Sequence, residues 1–203
     1  EARASAESVP VASIDQETVT LDEFQEKVRV VETNLEYMKG EIAAGSPNAA
    51  YLEAFVNLIE QAGTHDVALA TLIQERALYQ RARTSGYTVT DQEITARLEQ
   101  DRDLVRTRDE GAKAEAYIEA VGEDRYWSEL YPAILRREMT THKMWADVVA
   151  DIEDPQGRAT AWKDVQRQAV GAATIDVLAP DAVAPATVRG ALDYLDAYWE
   201  LAA

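Results

Sequence analysis

The chain has 203 residues, a length typical of one principal domain, and 47% of them are hydrophobic, which is enough for a packed core. Its 37 acidic and 20 basic residues give a formal net charge of −17, which repels phosphate backbones and anionic lipids, so we expect neither nucleic acid nor a membrane surface as a partner. The absence of cysteine excludes disulfides, zinc–thiolate sites and a thiol nucleophile.

The N-terminal region combines a polar segment with a β-like pattern. Residues 1–8 are expected to form a flexible lead. Over residues 9–20, apolar and β-branched side chains alternate around a break at Asp15 and Gln16, which is typical of a short strand or a hairpin. No run of about 18 apolar residues is present to span a bilayer. The chain does not begin with Met, and we expect that any targeting segment or lipid-modified anchor has been removed.

The strongest helical pattern begins after Thr20. Thr20 and Glu23 form a capping box, and Gly45 supplies the stop. The apolar residues of this helix are spaced alternately by three and four: Leu21, Phe24, Val28, Val31, Leu35, Met38 and Ile42. We expect this face to pack against neighbouring helices, with a second subunit as the alternative.

Three further helices follow in the middle of the chain. The first two are predicted over about residues 49–62 and 65–84, each ended by a glycine. The second of them is apolar on more than one stripe, so it is expected to be the most buried helix. A second capping box, Thr90 with Glu93, opens a charged helix that runs to about residue 108.

The last part of the chain mixes helices with one β-like segment. We first predict a helix from 111 to 121 and a long helix over about 124–150 that Pro132 kinks or starts. A turn at 154–157, a helix over about 158–170 and a strand over 173–178 are predicted next. A linker from Pro180 to Pro185 then leads to a last helix over 186–202. Strands 10–14 and 173–178 are expected to pair, because either one alone leaves its backbone groups unpaired. The fold class is therefore mainly α, with about seven or eight helices and a small β-sheet closed by N-terminal and C-terminal strands.

Four stretches carry a resemblance to a known family. The first, residues 11–24, contains a strand, a polar turn and a threonine cap before Glu23 and Phe24. The second, residues 69–94, contains a helix, a glycine and the sequence Val-Thr-Asp-x-Glu-Ile. The third is Tyr126-Trp127 followed by residues 134–139, and the fourth is the strand-like segment 173–178. In this order and spacing the chain resembles the N-terminal domain of SurA/PrsA-type foldases over roughly residues 9–180. The resemblance implies a helical chaperone domain over 9–180, with residues 181–203 as an appended C-terminal helix.

The chain departs from that family at one place. In the foldases a parvulin-type prolyl isomerase domain usually lies between the long helix and the last helix, whereas here Val149 to Ala159 joins the two neighbouring helices directly. The catalytic residues and the aromatic pocket of parvulins have no counterpart, so we do not expect isomerase activity. What the resemblance leaves is the part that the family uses to hold unfolded chains.

One third of the chain is rich in aromatic residues that suit polypeptide binding, because a binder of unfolded chains needs accessible apolar surface with loose shape demands. The candidate contact residues are Tyr117, Tyr126, Trp127, Tyr131 and Trp145. Core packing is the alternative role for each of them. Tyr194, Tyr198 and Trp199 in the last helix either dock within the chain, into the groove of these candidate contact residues, or mediate a homodimer.

The titratable residues give no catalytic arrangement. Glu138 and His142 lie four apart, a spacing that suits either an ion pair or a metal contact, and His65 with Asp66 is read as a polar pair at a helix start. Asp147, Asp151, Glu153 and Asp154 bunch near a helix end and are read as a solvated turn, with calcium as the alternative. Phosphate-binding glycine loops and nucleophile elbows are absent, so we expect no cofactor, no metal and no enzyme activity.

The leading hypothesis is an extracytoplasmic chaperone-like module, periplasmic, cell-surface or secreted, that binds unfolded or partly folded polypeptides. The alternative is a structural or adaptor domain that binds one folded partner.

Overall fold

The computed structural model describes residues 9–107, 118, 122–183 and 187–201. Within these residues lie seven helices of 14 residues or more: α1 (Leu21–Ala43), α2 (Ala49–Ala62), α3 (Thr64–Thr84), α4 (Asp91–Thr107), α5 (Tyr131–Val148), α6 (Pro155–Ala172) and α7 (Val188–Leu201). The strands are β1 (Pro10–Ile14), β2 (Glu17–Thr20) and β3 (Ile175–Val177). The mainly α class with a small sheet is confirmed. The predicted lead over 1–8, and the predicted helix over 111–121 apart from Ile118, lie outside the described residues.

The chain divides into two compact units. Unit 1 comprises residues 1–78 and 152–203, and unit 2 comprises residues 79–151. The boundary near residue 78 falls within α3, and the boundary near residue 151 falls between α5 and α6. The division into a chaperone domain over 9–180 and an appended helix over 181–203 stays a prediction.

The sheet of unit 1 joins the two ends of the sequence. Its strand order is β2-β1-β3, and both neighbours of β1 are antiparallel to it. β1 and β2 form a hairpin that turns at Asp15, which has a left-handed φ of 54°. β3 pairs with β1 in the register Ala12↔Val177 and Ile14↔Ile175, so the predicted pairing of the distant strands is confirmed.

The helices of unit 1 follow the predicted patterns closely. Thr20 and Glu23 make the capping box of α1, and the buried residues of this helix all belong to the predicted face: Phe24, Val28, Val31 and Leu35. α2 has the predicted bounds, 49–62. Of the described helices, α3 carries the most buried residues, as its several apolar stripes predict. α7 packs on α2, and its buried residues include Leu195 and Trp199.

Unit 2 is built around α4 and α5. Val89, Ile94 and Leu135 form its core cluster, and Thr90 with Glu93 makes the predicted capping box. A helical turn over Glu123–Arg125 and a π-helical turn over Tyr126–Leu130 precede α5, with Pro132 in the first turn of that helix. Pro132 therefore marks the start of α5, one of its two predicted roles. A π turn suits this place, because proline donates no hydrogen bond and its ring clashes with the carbonyl four residues earlier.

Two local predictions are corrected. The segment 154–157 is not a separate turn, because Asp154 is the N-cap of α6 and accepts a hydrogen bond from the Gly157 N–H at 2.7 Å, with Pro155 as the first helical residue. The predicted linker after Pro180 begins with a short helical turn, Pro180–Val183, in which Val183 is buried. In both cases a proline begins a helix instead of breaking one.

Candidate polypeptide-binding surfaces

Three of the predicted contact residues come together in unit 2. Tyr126 and Tyr131 stack with their ring centroids 5.3 Å apart, and Trp127 meets them edge-on at 4.9 and 5.4 Å. The π turn produces this arrangement, since the Tyr131 N–H donates to the carbonyl oxygen of Tyr126 and so places residues five apart on one side. We call these three rings the unit 2 ring cluster.

The members of the ring cluster differ in burial. Trp127 is 7% exposed, whereas Tyr126 and Tyr131 are half-buried. The Arg102 guanidinium lies over the Trp127 ring, 5.1 Å from its centroid, which is a cation–π distance. Trp127 therefore supports the cluster from within, and the two tyrosines supply the accessible ring surface.

Hydrogen bonds fix the orientation of Tyr131. Its hydroxyl donates to Asp101 Oδ2 at 2.8 Å, and the same carboxylate accepts from Arg97 Nε at 2.9 Å. Burial, followed by the hydrogen bond to Asp101, raises the pKa of the Tyr131 phenol above its ordinary value. Because Asp101 is itself buried, its two partners satisfy a carboxylate that would otherwise be costly to hold there.

The other two predicted contact residues do not join this cluster. Trp145 is half-buried and stacks on His142, with centroids 5.1 Å apart and an interplanar angle of 22°. It follows Tyr131 by 14 residues on α5, which is about 21 Å along a helix axis. Tyr117 lies outside the described residues.

Unit 1 carries a second aromatic surface, which sequence reasoning missed. Tyr51 meets Phe55 edge-on at 4.7 Å, Phe55 meets Tyr198 at 5.7 Å, and Tyr198 stacks on Tyr194 at 6.0 Å. Tyr51 is 55% exposed, Phe55 and Tyr198 are half-buried, and Tyr194 is buried. We call this row the α2–α7 ladder. It runs from solvent at Tyr51 to the interior at Tyr194.

Burial along the ladder affects the phenols of α7. It raises the pKa of Tyr194 to about 12 and also raises the pKa of Tyr198, with a smaller contribution from Tyr51 to the latter. Each helix supplies an aromatic pair at i and i+4, a spacing that places both rings on one face. That spacing is visible in the sequence, but the pairing of α2 with α7 is not.

The packing of α7 bears on the two roles considered for its aromatic residues. Tyr194 and Trp199 are buried within unit 1, and the Arg167 guanidinium lies 5.7 Å from the Trp199 ring centroid. The exposed residues of this helix include Asp193 and Asp196. A homodimer through the C-terminal helix stays a prediction.

Several of the remaining polar candidates have structural contacts. Asp147 accepts a hydrogen bond from the Tyr87 hydroxyl at 2.5 Å, and Asp66 accepts one from the Thr187 N–H at 2.7 Å. The His65 ring lies 6.0 Å from that of Phe24. In the described residues, no group of three or more histidine or acidic side chains is arranged to hold a metal ion. No helix in this part of the chain has the length and apolar character needed to cross a membrane.

Comparison with known proteins adds one finding. The family model of the SurA-like N-terminal domain matches residues 2–145. The matched range takes in β1, β2, α1 to α4 and most of α5. No curated protein and no solved structure matches the chain.

Proposed function

Because the chain belongs to the SurA-like N-terminal domain family, we propose that it is a chaperone-like module that binds non-native polypeptides outside the cytoplasm, without prolyl isomerase catalysis. The observation that carries the proposal is the family match over residues 2–145, well over half of the chain. Domains of this family act as chaperones, and α5 and α6 are joined here by only the six residues 149–154. That connection is far too short for the isomerase domain that the foldases insert there.

Accessible aromatic rings support client binding in both units. In unit 2 the half-buried rings include Tyr126, Tyr131 and Trp145, with Trp127 beneath the first two. The outer half of the α2–α7 ladder offers a second surface in unit 1. Flat apolar rings suit clients of many sequences, because they bury a large area without demanding one hydrogen-bonding pattern. Tyr117 stays in the proposed site as a sequence prediction.

The net charge of −17 also supports the chaperone function, through the solubility of the complex with its client. A chaperone that holds exposed apolar segments must keep the loaded complex in solution, and a large net charge opposes association between complexes. Because the rings supply the attraction, client binding should weaken only mildly as salt rises. No nucleotide is required, and protection should saturate once each protein molecule holds a client.

Light scattering of a thermally unfolding client tests the proposal. We expect the native protein to suppress aggregation at near-stoichiometric ratios at both low and high salt. Two variants map the surface: Tyr51→Ser removes the exposed ring of the ladder, and a Tyr126→Ser, Trp145→Ser double variant removes rings of unit 2. Tyr37→Ser is the matched control, because Tyr37 is a 62% exposed helical tyrosine outside both surfaces.

We expect each surface variant to need about two to five times more protein for equal protection, by analogy with the cost of losing one large aromatic contact, and the Tyr37→Ser control to behave like the native protein. Each variant is first shown to keep its helical content. Equal protection by all variants would keep the function and place client contact elsewhere. No protection by the native protein would overturn the proposal in favour of an adaptor domain that binds one folded partner.

A further inference from the structure

The pairing of β3 with β1 fixes the direction of every backbone group in β3. The Asp15 N–H donates to the Thr174 carbonyl at 2.7 Å, and the Leu178 N–H donates to the Val11 carbonyl at 2.9 Å. Bonded and non-bonded pairs alternate along an antiparallel ladder. Residues 174, 176 and 178 therefore direct their backbone groups at β1. The N–H and C=O groups of Ile175 and Val177 point away from it.

These outward groups lie on an open edge. β3 is a terminal strand of the sheet, and within the described part of the chain no hydrogen bond reaches the backbone of Ile175 or Val177. Two side chains beside this edge are apolar and accessible, since Val177 is 37% exposed and Leu178 is 53% exposed, and the exposed Asp176 lies between Ile175 and Val177. Such an edge is a template for one more strand, and proteins usually protect it with charges, prolines or a covering element.

We propose that the open edge of β3 binds an extended segment of a non-native polypeptide as a fourth strand of the sheet. The inference rests on the function proposed above and names its mode of recognition. Backbone hydrogen bonds to Ile175 and Val177 supply affinity that does not depend on client sequence. The exposed side chains of Val177 and Leu178 favour apolar client residues, and Asp176 favours a cationic residue across from it.

The negative charge of the chain favours a client segment, and not a second copy of the chain, as the fourth strand. A symmetric pairing of β3 with its own copy would place two Asp176 carboxylates close together and would bring two net charges of −17 into contact. Like charges across a strand pair destabilise it. A foreign segment that carries a lysine or arginine meets an attraction in the same place.

The test uses the full chain and a fluorescein-labelled nine-residue peptide that alternates valine with threonine around one central lysine. A second peptide has the same sequence, with backbone amides N-methylated on both of its edges. Methylation removes the donors of both edges but leaves the side chains. We expect the methylated peptide to bind about tenfold more weakly by fluorescence anisotropy, because strand addition depends on those donors. Equal affinity of the two peptides would overturn the inference.

Variants of Val177 provide a second test. Val177→Pro removes an outward N–H and leaves the bonds between β1 and β3 in place, so we expect about tenfold weaker peptide binding. Val177→Thr keeps the backbone N–H and the β-branched shape and changes only the apolar character of the side chain, so it should lose clearly less affinity than the proline variant, about two- to threefold. If the proline variant fails to fold, the comparison of the two peptides on the native chain decides alone.

The outcomes separate this inference from the proposed function. Protection of an aggregating client together with equal binding of both peptides would keep the chaperone function and reject the edge. Absence of both protection and peptide binding would reject both. Sedimentation velocity tests for a native dimer that dissociates on Val177→Pro substitution. That result would mean that a second copy of the chain occupies the β3 edge, and it would overturn the inference.

Discussion

Two hydrogen bonds join Asp15 to Thr174, which lies 159 positions later in the sequence. The Asp15 N–H donates to the Thr174 carbonyl at 2.7 Å, and the Thr174 N–H donates to Asp15 Oδ1 at 2.9 Å. One residue of the hairpin turn therefore fixes the point at which the chain returns to the sheet after α6. Asp15 itself has a left-handed φ of 54° in the hairpin turn.

Substitution of Asp15 should loosen this closure. Asp15→Ala removes the acceptor and places an unfavourable residue at positive φ, so we expect a loss of about 1–2 kcal/mol in the free energy of unfolding. Asp15→Asn keeps an acceptor oxygen and tolerates the left-handed conformation, and should stay within about 0.5 kcal/mol of the native protein. Urea unfolding followed by circular dichroism measures both. Equal stability of all three proteins would mean that the closure contributes nothing.

Gly190 lies where a side chain has no room. A Cβ at this position would stand 1.9 Å from Asp66 Oδ2, whose partner oxygen accepts the Thr187 N–H. Gly190→Ala should therefore cost about 1–3 kcal/mol in the free energy of unfolding, as overpacked positions do. The matched control is Gly171→Ala in α6, where no atom outside the neighbouring residues and the helix's own backbone lies within 4 Å of the added Cβ.

The two glycine variants should change stability in opposite directions. Alanine is a better helix former than glycine, so Gly171→Ala should gain about 0.5–1 kcal/mol in urea unfolding. A gain of similar size for Gly190→Ala would show that Asp66 moves aside freely, and that its contact with the start of α7 is not fixed.

Acid should weaken unit 2 through Glu93. The Lys143 ammonium, 2.6 Å from Glu93 Oε1, and the donors of Thr90 lower the pKa of this carboxyl from 4.5 to about 2. A carboxyl whose pKa is lower in the folded state stabilises it above the unfolded pKa. That contribution is lost as the pH falls from about 4.5 to about 2. Urea midpoints at pH 7, 4 and 2.5 should therefore fall more steeply for the native protein than for Glu93→Gln; parallel curves would contradict this assignment.

Prolyl isomerase activity should be absent. The six residues between α5 and α6 leave no place for an inserted catalytic domain. In a refolding assay limited by proline isomerisation, we expect the uncatalysed rate at catalytic concentrations of the chain, with an unrelated prolyl isomerase as the positive control. Acceleration that rises in proportion to the concentration of this chain would contradict the expectation.

Local signals explain what the sequence predicted well. Both capping boxes, Thr20 with Glu23 and Thr90 with Glu93, depend on residues three apart, so their chemistry is visible without a fold. The pairing of β1 with β3 was predicted because a lone strand must find a partner. The family match confirms the resemblance that these patterns suggested.

Features that depend on distant partners were not predictable in the same way. Phe55 and Tyr198 meet only because α7 returns to α2, and no local pattern specifies that contact. The π turn before Pro132 was missed because the same proline is compatible with a kink or with a clean helix start. Asp154 fits a turn as well as a helix N-cap, since the same residue types that make turns also cap helices.

Isothermal titration calorimetry with one client protein, in its folded and in its unfolded state, tests the central claim most directly. A protein with disulfides is used folded, and also reduced with its thiols blocked by iodoacetamide, so that sequence and charge stay nearly the same while the chain remains unfolded. We predict that the unfolded form binds with a stoichiometry of about one chaperone molecule per binding site on the client. The folded form should not bind, and added salt should change the affinity only slightly. Binding of the folded form, or of neither form, would contradict a module that recognises non-native polypeptides.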